Sequence, residues 1–157
     1  MTERQVHHSA ICVRDVDESL RFYRDGLGLA VFMDQAFDGD WPTLFDASTS
    51  RLRSVMLGDP EARDSGVVEL VAFEHAAGER VERWRTPTVR HEGPPDSGFF
   101  LLSLFLDVDA ALARLAALGL GGEPRRVSQP APNGMRVPMA TVRDPDGVLV
   151  ELIGAPA

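Results

Sequence analysis

The stretch "HHSAICVRDVDESL", residues 7–20, has a second version later in the chain, "FFLLSLFLDVDAAL", residues 99–112. The letters Asp-Val-Asp and a terminal Leu recur in it at a constant offset of 92 positions. Such an internal repeat is typical of one supersecondary unit that is used twice in a chain. The two versions differ at their start, because Phe99 and Phe100 stand where the first version has His7 and His8.

Each version predicts a β-strand that is followed at once by a helix. The letters "HHSAICV", residues 7–13, suit a half-buried strand with His8, Ala10 and Cys12 on one side and Ile11 and Val13 on the other, since the side chains of a strand alternate between its two sides. The first helix begins after Asp15, a residue type that accepts hydrogen bonds from the free N–H groups of a helix start. The second helix begins in the same way after Asp107 or Asp109.

Weaker strand patterns follow each helix and end in an apolar strand, "GVVELVAF" (66–73) in the first half and "GVLVELIGA" (147–155) in the second. Each half therefore predicts a βαβββ module, and the fold class is α+β. We expect one domain over residues 1–157, with modules at roughly 5–73 and 98–155. The charged, Gly- and Pro-rich segment 74–97 is the expected linker.

Composition limits the partners of this chain. It has 157 residues and a formal net charge of −8, with a pI near 4.9. Such a surface repels nucleic acid and anionic lipid, so we expect neither as a partner, and we expect no membrane span or signal peptide. Cys12 is the single cysteine, so no internal disulfide can form, and we expect a cytoplasmic protein.

Two glutamates interrupt the closing strands. Glu69 lies in "VVELV" and Glu151 in "LVELI", and both sides of each strand look apolar. An unpaired carboxylate costs several kcal/mol to remove from water, on the order of the desolvation penalties known for ions in proteins. Each glutamate therefore needs solvent, a basic partner or a metal ion, and their matching positions in a repeat favour a shared role.

The chain resembles the vicinal oxygen chelate superfamily, which includes glyoxalase I, epimerases, extradiol dioxygenases and bleomycin-resistance proteins. The resemblance rests on "HHSAICVRDVDESLRFYRDGLGL" and on the distant "VRDPDGVLVELI", so it spans nearly the whole chain. It implies a glyoxalase-like domain in which two βαβββ modules form a cup-shaped, mostly antiparallel sheet with the helices outside. It also implies one metal ligand at the start of each module and one on its last strand.

Carried over by position, the resemblance makes His8, Glu69 and Glu151 the metal ligands. The fourth ligand position, normally His or Gln, falls on Phe100, which cannot bind a metal. One imidazole and two carboxylates suit a divalent ion such as Mn, Fe, Co, Ni or Zn. The site has therefore lost one ligand or has been rebuilt without it.

The function that this resemblance implies is that of a divalent-metal-dependent lyase or isomerase, similar to glyoxalases and epimerases. It would act on a small organic substrate with vicinal oxygens, through an enediolate-type intermediate. Glu151 or Glu69 would be the catalytic base. An extradiol dioxygenase is less favoured, because that chemistry prefers two histidines and one carboxylate around iron.

The alternative is a metal-free protein that binds a small molecule, similar to bleomycin-resistance proteins, or an acid/base isomerase with an apolar pocket. Its predicted lining comes from the two opening strands, with Trp41 as a possible aromatic wall. These pocket residues are Ala10, Cys12, Phe100, Leu102, Leu104 and Trp41.

Three other histidines are candidates for the missing ligand. Strand alternation points His7 to the side opposite His8, which favours a structural or surface role. His75 and His91 lie in the predicted linker, where histidines are usually solvated.

Relatives pair modules within one chain or across a two-fold axis, so we also expect a homodimer.

Overall fold

The computed structural model describes residues 6–74, 97–131 and 134–156. Its strands lie in two separate four-stranded sheets, and the chain divides into two compact units. The first unit holds the first sheet, and the second unit holds the second sheet together with Asp25–Gly28. The predicted linker falls almost entirely outside the described residues, as do His75 and His91.

The first unit follows the predicted strand–helix–three-strand order and adds a short helix. Its elements are β1 (His8–Cys12), α1 (Val16–Leu20), β2 (Ala30–Asp38), α2 (Trp41–Phe45), β3 (Arg51–Gly58) and β4 (Val67–Phe73). A π-helical segment (Arg21–Gly26) continues α1, and its last two residues belong to the second unit. The strand order in the sheet is β1-β4-β3-β2. Strands β1 and β4 are parallel, and the other neighbours are antiparallel.

The second unit repeats this arrangement. Its elements are β5 (Leu102–Phe105), α3 (Val108–Ala117), β6 (Arg125–Pro130), β7 (Arg136–Arg143) and β8 (Leu149–Ile153). The strand order is β5-β8-β7-β6, with β5 and β8 parallel and the rest antiparallel. The α+β class and the two βαβββ modules are thus confirmed. No helix among the described residues combines the length and apolarity that a membrane crossing requires.

Both main helices begin at the aspartates that the repeat indicates. The side chain of Asp15 accepts hydrogen bonds from the backbone N–H groups of Asp17 and Glu18, at 2.9 and 3.0 Å. In the second unit it is Asp107, at 3.0 Å from the backbone nitrogen of Ala110, that caps α3. These caps satisfy N–H groups that have no partner inside the helix.

Each sheet buries one side on its own helix. In the first unit α1 contacts β4, and in the second α3 contacts β7. The fully or nearly fully buried side chains on these elements include Val16, Leu20, Phe22, Tyr23, Val55, Leu57, Val68 and Leu70 in the first unit, and Ala111, Leu112, Leu115, Ala140, Val142, Val150 and Leu152 in the second. Burial of this apolar surface is the main favourable term in the stability of each unit.

The register of the opening strands corrects the constant offset of 92. Ala10 pairs with Glu69, whereas Ser103 pairs with Glu151, so the strands are offset by 93 positions while the caps Asp15 and Asp107 are offset by 92. The cause is the connection from strand to helix, which is one residue shorter in the second unit.

This one-residue difference changes the counterpart of His8. His8 lies two residues before Ala10, and two residues before Ser103 lies Leu101. Leu101 therefore takes the position that the sequence comparison gave to Phe100. Neither Leu101 nor Phe100 can bind a metal. The second unit therefore still offers no ligand at the position of His8, although the residue there is Leu101 and not Phe100.

Candidate functional site

The first half of the site is a pair formed by His8 and Glu69. Parallel pairing of β1 with β4 sets Ala10 beside Glu69, and His8 lies two residues back on the same side of the sheet. The His8 Nε2 atom is 3.2 Å from Glu69 Oε2. The Glu69 side chain is 14% exposed and that of His8 is 39% exposed. An imidazole thus meets the carboxylate that the apolar strand pattern marked as needing a partner.

A serine from the next strand holds the other oxygen of Glu69. Ser54, on β3, is buried, and its hydroxyl donates to Glu69 Oε1 at 2.5 Å. In the part of the chain that the structure describes, no buried side-chain nitrogen or oxygen lacks a hydrogen-bond partner. The two partners explain how an ionisable side chain is accommodated in a largely apolar strand.

His7 lies against His8 instead of pointing away from it. The two Nδ1 atoms are 2.8 Å apart, and the rings meet edge to face with centroids 5.1 Å apart. The prediction that alternation separates the two rings is wrong, because β1 begins only at His8 and His7 precedes the regular strand.

The second unit presents its own glutamate with a different partner. Glu151 is half-buried on β8, paired with Ser103 on β5 and Thr141 on β7. The Ser103 hydroxyl donates to Glu151 Oε2 at 2.8 Å. The described segments of this unit contain no histidine, so within them Glu151 meets no imidazole of the kind that Glu69 meets in the first unit.

The predicted pocket residues divide into two groups. Ala10 and Cys12 are exposed and lie on the same sheet side as His8 and Glu69, as predicted. We call this side, and the matching side that carries Ser103 and Glu151, the glutamate face of each unit.

Leu102 and Leu104 lie on the other side of their sheet. They pair with the buried Val150 and Leu152, so their side chains share the side that is opposite the glutamate face. The prediction that they line a pocket beside Glu151 is therefore wrong, since a one-residue change of register moves every side chain of a strand to the opposite side. Phe100 precedes β5 and is 57% exposed.

Trp41 belongs to an aromatic cluster of the first unit. Its ring stacks on Phe45 with centroids 5.6 Å apart, and Phe45 meets Phe73 edge to face at 6.4 Å. Phe73 lies four residues after Glu69 on β4, on the glutamate face, which corresponds to about 13 Å along the strand. The cluster thus links α2 to the end of β4, and the role of Trp41 as a pocket wall stays a prediction.

Arg53 and Arg51 on β3 are occupied by carboxylates. Arg53 makes a two-point ion pair with Asp34, in which both N–O distances are 2.8 Å, and also approaches Asp17 at 3.5 Å. Its hydrogen bonds hold the pKa of the Asp34 carboxyl below the usual value. Arg51 binds Asp38 and Glu74, at 2.9 Å each. These arginines therefore stabilise the first unit and are not disposed to receive an anionic substrate.

Metal binding requires more donors than either unit gathers by itself. Within residues 6–74, 97–131 and 134–156, no group of three or more His, Cys, Asp or Glu side chains is placed to hold a metal ion. His8 and Glu69 contribute one imidazole nitrogen and one carboxylate oxygen, which fit part of the ligand set of a divalent transition metal. Ser54 contacts Glu69 and His7 contacts His8, and the sequence predicted neither contact.

The chain belongs to the Glyoxalase/Bleomycin resistance protein/Dioxygenase superfamily, whose family pattern matches residues 5–152. The two βαβββ units are the fold that this resemblance implied.

Two relatives are similar over most of their length. The lactoylglutathione lyase-like protein terB of Aspergillus terreus is 38% identical over 156 residues, covering 96% of this chain and 75% of that protein. A 2-epi-5-epi-valiolone epimerase of an Actinomyces species is 33% identical over 165 residues, covering 97% and 80%.

Solved structures share the fold at lower identity. A glyoxalase family protein of Bacillus cereus superposes with a TM-score of 0.67 at 18% identity, covering 98% of this chain and 95% of that one. The trypanothione-dependent glyoxalase I of Leishmania major gives 0.57 at 23% identity, covering 97% and 87%. At these identities the likeness is one of fold.

Proposed function

We propose that this protein is a lyase or isomerase of the glyoxalase type that depends on a divalent metal and acts on a small organic substrate with vicinal oxygens. The observation that carries the proposal is the contact between His8 Nε2 and Glu69 Oε2, on the side of the first sheet that faces away from α1. The names of the two relatives, a lactoylglutathione lyase-like protein and an epimerase, agree with it.

We propose His8, Glu69 and Glu151 as the metal ligands, with the remaining positions open to water or substrate oxygens. One imidazole and two carboxylates form a donor set that suits Mn, Fe, Co, Ni or Zn. An ion held by these residues would supply Lewis-acid polarisation of a substrate carbonyl, which would favour an enediolate-type intermediate. The contact between His8 and Glu69 supports this assignment, because it brings one imidazole nitrogen and one carboxylate oxygen within 3.2 Å of each other.

The two glutamates are suited to different tasks. Ser54 fixes Glu69 Oε1, so Oε2, which lies beside His8 Nε2, is the oxygen that would face a metal ion. Glu151 has an exposed hydrogen bond from Ser103, and we assign to it the additional role of catalytic base.

In the proposed reaction the carboxylate of Glu151 takes a proton from the carbon next to the substrate carbonyl. The electron pair of that C–H bond moves into the enediolate. Return of the proton to the opposite face inverts the carbon centre, and return to the neighbouring carbon moves the carbonyl. Neither outcome changes the oxidation level of the molecule as a whole, so no further reactant is needed.

A metal-free acid/base isomerase or small-molecule binder is the second candidate, and one observation favours it. Both oxygens of Glu69 already have protein partners, His8 and Ser54. An imidazole in contact with a carboxylate on a sheet that also carries Ala10 and an aromatic cluster forms a small polar site in apolar surroundings, as small-molecule pockets commonly do.

We further propose that the protein is cytoplasmic and works as a homodimer on a small molecule. The single cysteine, which can form no internal disulfide, supports a reducing compartment. Light scattering on the purified protein would determine the oligomeric state.

Proton exchange from deuterated water separates the two candidates. A panel of small α-hydroxycarbonyl compounds is incubated with the enzyme and followed by NMR for loss of the C–H signal next to the carbonyl. We expect exchange that a chelator abolishes and added Mn, Co, Ni or Zn restores. Exchange that survives exhaustive chelation would establish the metal-free isomerase instead.

A further inference from the structure

His7 is fixed in place although it precedes the first strand. Its carbonyl oxygen accepts a hydrogen bond from the backbone nitrogen of Val67 at 3.2 Å, so its backbone is tied to β4. Its ring meets the ring of His8 edge to face, with the planes at 90° to each other. The contact between the two Nδ1 atoms, at 2.8 Å, is therefore made by a residue whose backbone is bound to β4, and it joins His7 to the His8–Glu69 pair.

The 2.8 Å distance restricts where the ring protons are. A neutral imidazole carries one N–H donor and one bare acceptor nitrogen. With both rings neutral, a hydrogen bond between the two Nδ1 atoms requires that one ring has its proton on Nδ1 and that the other does not. The two histidines must therefore be opposite tautomers.

Glu69 decides which ring has which tautomer. His8 Nε2 faces Glu69 Oε2 at 3.2 Å, and an acceptor oxygen there requires an N–H donor. If both rings are neutral, these two distances place the proton of His8 on Nε2 and leave its Nδ1 bare to accept from the Nδ1–H group of His7.

We propose that His7 is a positioning residue that holds the ring of His8, so that Nε2 of His8 is directed at Glu69 both with and without a bound cation. Either Nδ1 atom can be the donor of the hydrogen bond between the rings. His7 can therefore stay hydrogen-bonded to His8 when the tautomer of His8 changes. The role with a cation rests on the proposed function, whereas the role without it rests on the distances alone.

If His8 held a cation, its Nε2 would have to offer a lone pair, and the hydrogen bond between the two Nδ1 atoms would run in the other direction. His8 would then carry its proton on Nδ1, and His7 would carry its proton on Nε2. Both rings would remain neutral, so no net proton would be released. Partners that orient a metal-binding histidine in this way typically contribute about 10- to 100-fold to metal affinity.

The first test is NMR of the metal-free protein at a single pH. Nitrogen-15 labelled histidine and long-range nitrogen–proton correlations report the tautomer of each ring, in a background where His75 and His91 are replaced by Gln to leave two signals. We expect His7 as the Nδ1–H tautomer and His8 as the Nε2–H tautomer. Two rings of the same tautomer, or a His8 ring protonated on both nitrogens, would overturn the proposal.

The second test compares two substitutions of His7 by cobalt titration. His7→Leu removes the partner of His8, whereas the amide of His7→Asn can donate or accept and so can replace either tautomer. We expect His7→Leu to weaken Co²⁺ binding about 10- to 100-fold and His7→Asn to restore most of it. Equal Co²⁺ affinity in the wild type and His7→Leu would overturn the positioning role. If the wild type binds no Co²⁺, the metal proposal fails, and the tautomers still decide the role of His7.

Discussion

The two units have the same strand order but hold their glutamates differently. In the first, Glu69 is engaged by the imidazole of His8 and by Ser54, whereas in the second Glu151 is engaged by Ser103. Both supporting serines are hydroxyl donors, yet Ser54 comes from the antiparallel neighbour and Ser103 from the parallel neighbour.

This difference shows that the strand order determines the position of the glutamate in the sheet but not which side chains bind its carboxylate. The structural counterpart of Ser103 is Ala10, because each pairs with the glutamate of its own unit. The counterpart of Ser54 is Met139, since each lies two residues before the β3 or β7 partner of the glutamate. Neither serine could be inferred by copying one half of the repeat onto the other.

Loss of either glutamate should have the largest effect and should reveal whether the two halves have different tasks. We expect Glu151→Gln to lower turnover about 10²- to 10⁴-fold, since it removes the proposed base. Glu69→Gln should lower metal content at least as strongly as Glu151→Gln does. Turnover and metal content are measured together, with the exposed Glu123→Gln as the control in the second unit. Normal turnover in Glu151→Gln would refute the assignment of the base.

Adding a histidine to the second unit tests the one-residue register shift. Because Leu101 is the counterpart of His8, Leu101→His should raise Co²⁺ affinity about tenfold, equivalent to ~1.4 kcal/mol, whereas Phe100→His should not. Isothermal titration of both variants gives the comparison. If Co²⁺ affinity rose only in Phe100→His, Phe100 would be the counterpart of His8, and the offset of 92 would hold for the opening strands.

The supporting serines should differ in their contribution to stability. Ser54 is buried and its loss would leave an oxygen of Glu69 without its donor, so Ser54→Ala should lower the free energy of unfolding by about 1–3 kcal/mol. Ser103→Ala should lower it by less than about 1 kcal/mol, because its hydrogen bond is exposed and water can replace it. Urea unfolding measures both, and equal losses would contradict the difference in burial.

The smallest effect concerns the ion pairs between helix and sheet. Asp17 and Asp109 lie in the first turns of α1 and α3 and pair with Arg53 and Arg126, respectively. Arg53 also binds Asp34 at two points, while Arg126 is more exposed. Arg53→Met should therefore cost up to about 1 kcal/mol and Arg126→Met close to nothing. Thermal unfolding at neutral pH and low salt measures the stability of both variants. Equal losses of stability in Arg53→Met and Arg126→Met would contradict this expectation.

The pH dependence of that difference follows from Asp34. Arg53 lowers the pKa of the folded Asp34 carboxyl, so its contribution is present above the ordinary pKa of an unfolded Asp, near about 4. It is lost as the pH falls through the lower folded pKa. Asp34→Asn should consequently destabilise the protein at neutral pH and cease to matter in strong acid. A stability difference that persists unchanged into strong acid would assign the effect to packing.

Much of the fold could be predicted because its signals are local. The aspartate caps, the alternating "HHSAICV" strand and the apolar closing strands predict the two βαβββ modules, and the structure confirms them. The short helix α2 was not predicted, although Asp40 caps it and Pro42 lies in its first turn.

The site was predictable only where its residues are unusual for their positions. A glutamate within an apolar strand is conspicuous, which is why Glu69 and Glu151 could be singled out, and parallel pairing then brings His8 to Glu69. The one-residue register shift could not be predicted, because a repeated helix start says nothing of the length of the connection before it. The role of Ser54 could not be predicted for another reason. A serine in a strand indicates a function only when its neighbours on the adjacent strands are known.

Metal content of the purified, untagged protein tests the central claim most directly. The wild type and Glu69→Gln are dialysed against Mn, Fe, Co, Ni and Zn in turn, without prior chelator, and the bound metal is counted by elemental analysis. The account predicts near-stoichiometric metal in the wild type and its loss in Glu69→Gln with the fold intact. A wild type that retains no metal would contradict the metal-dependent proposal and leave the contact of His8 with Glu69 as a metal-free acid/base pair.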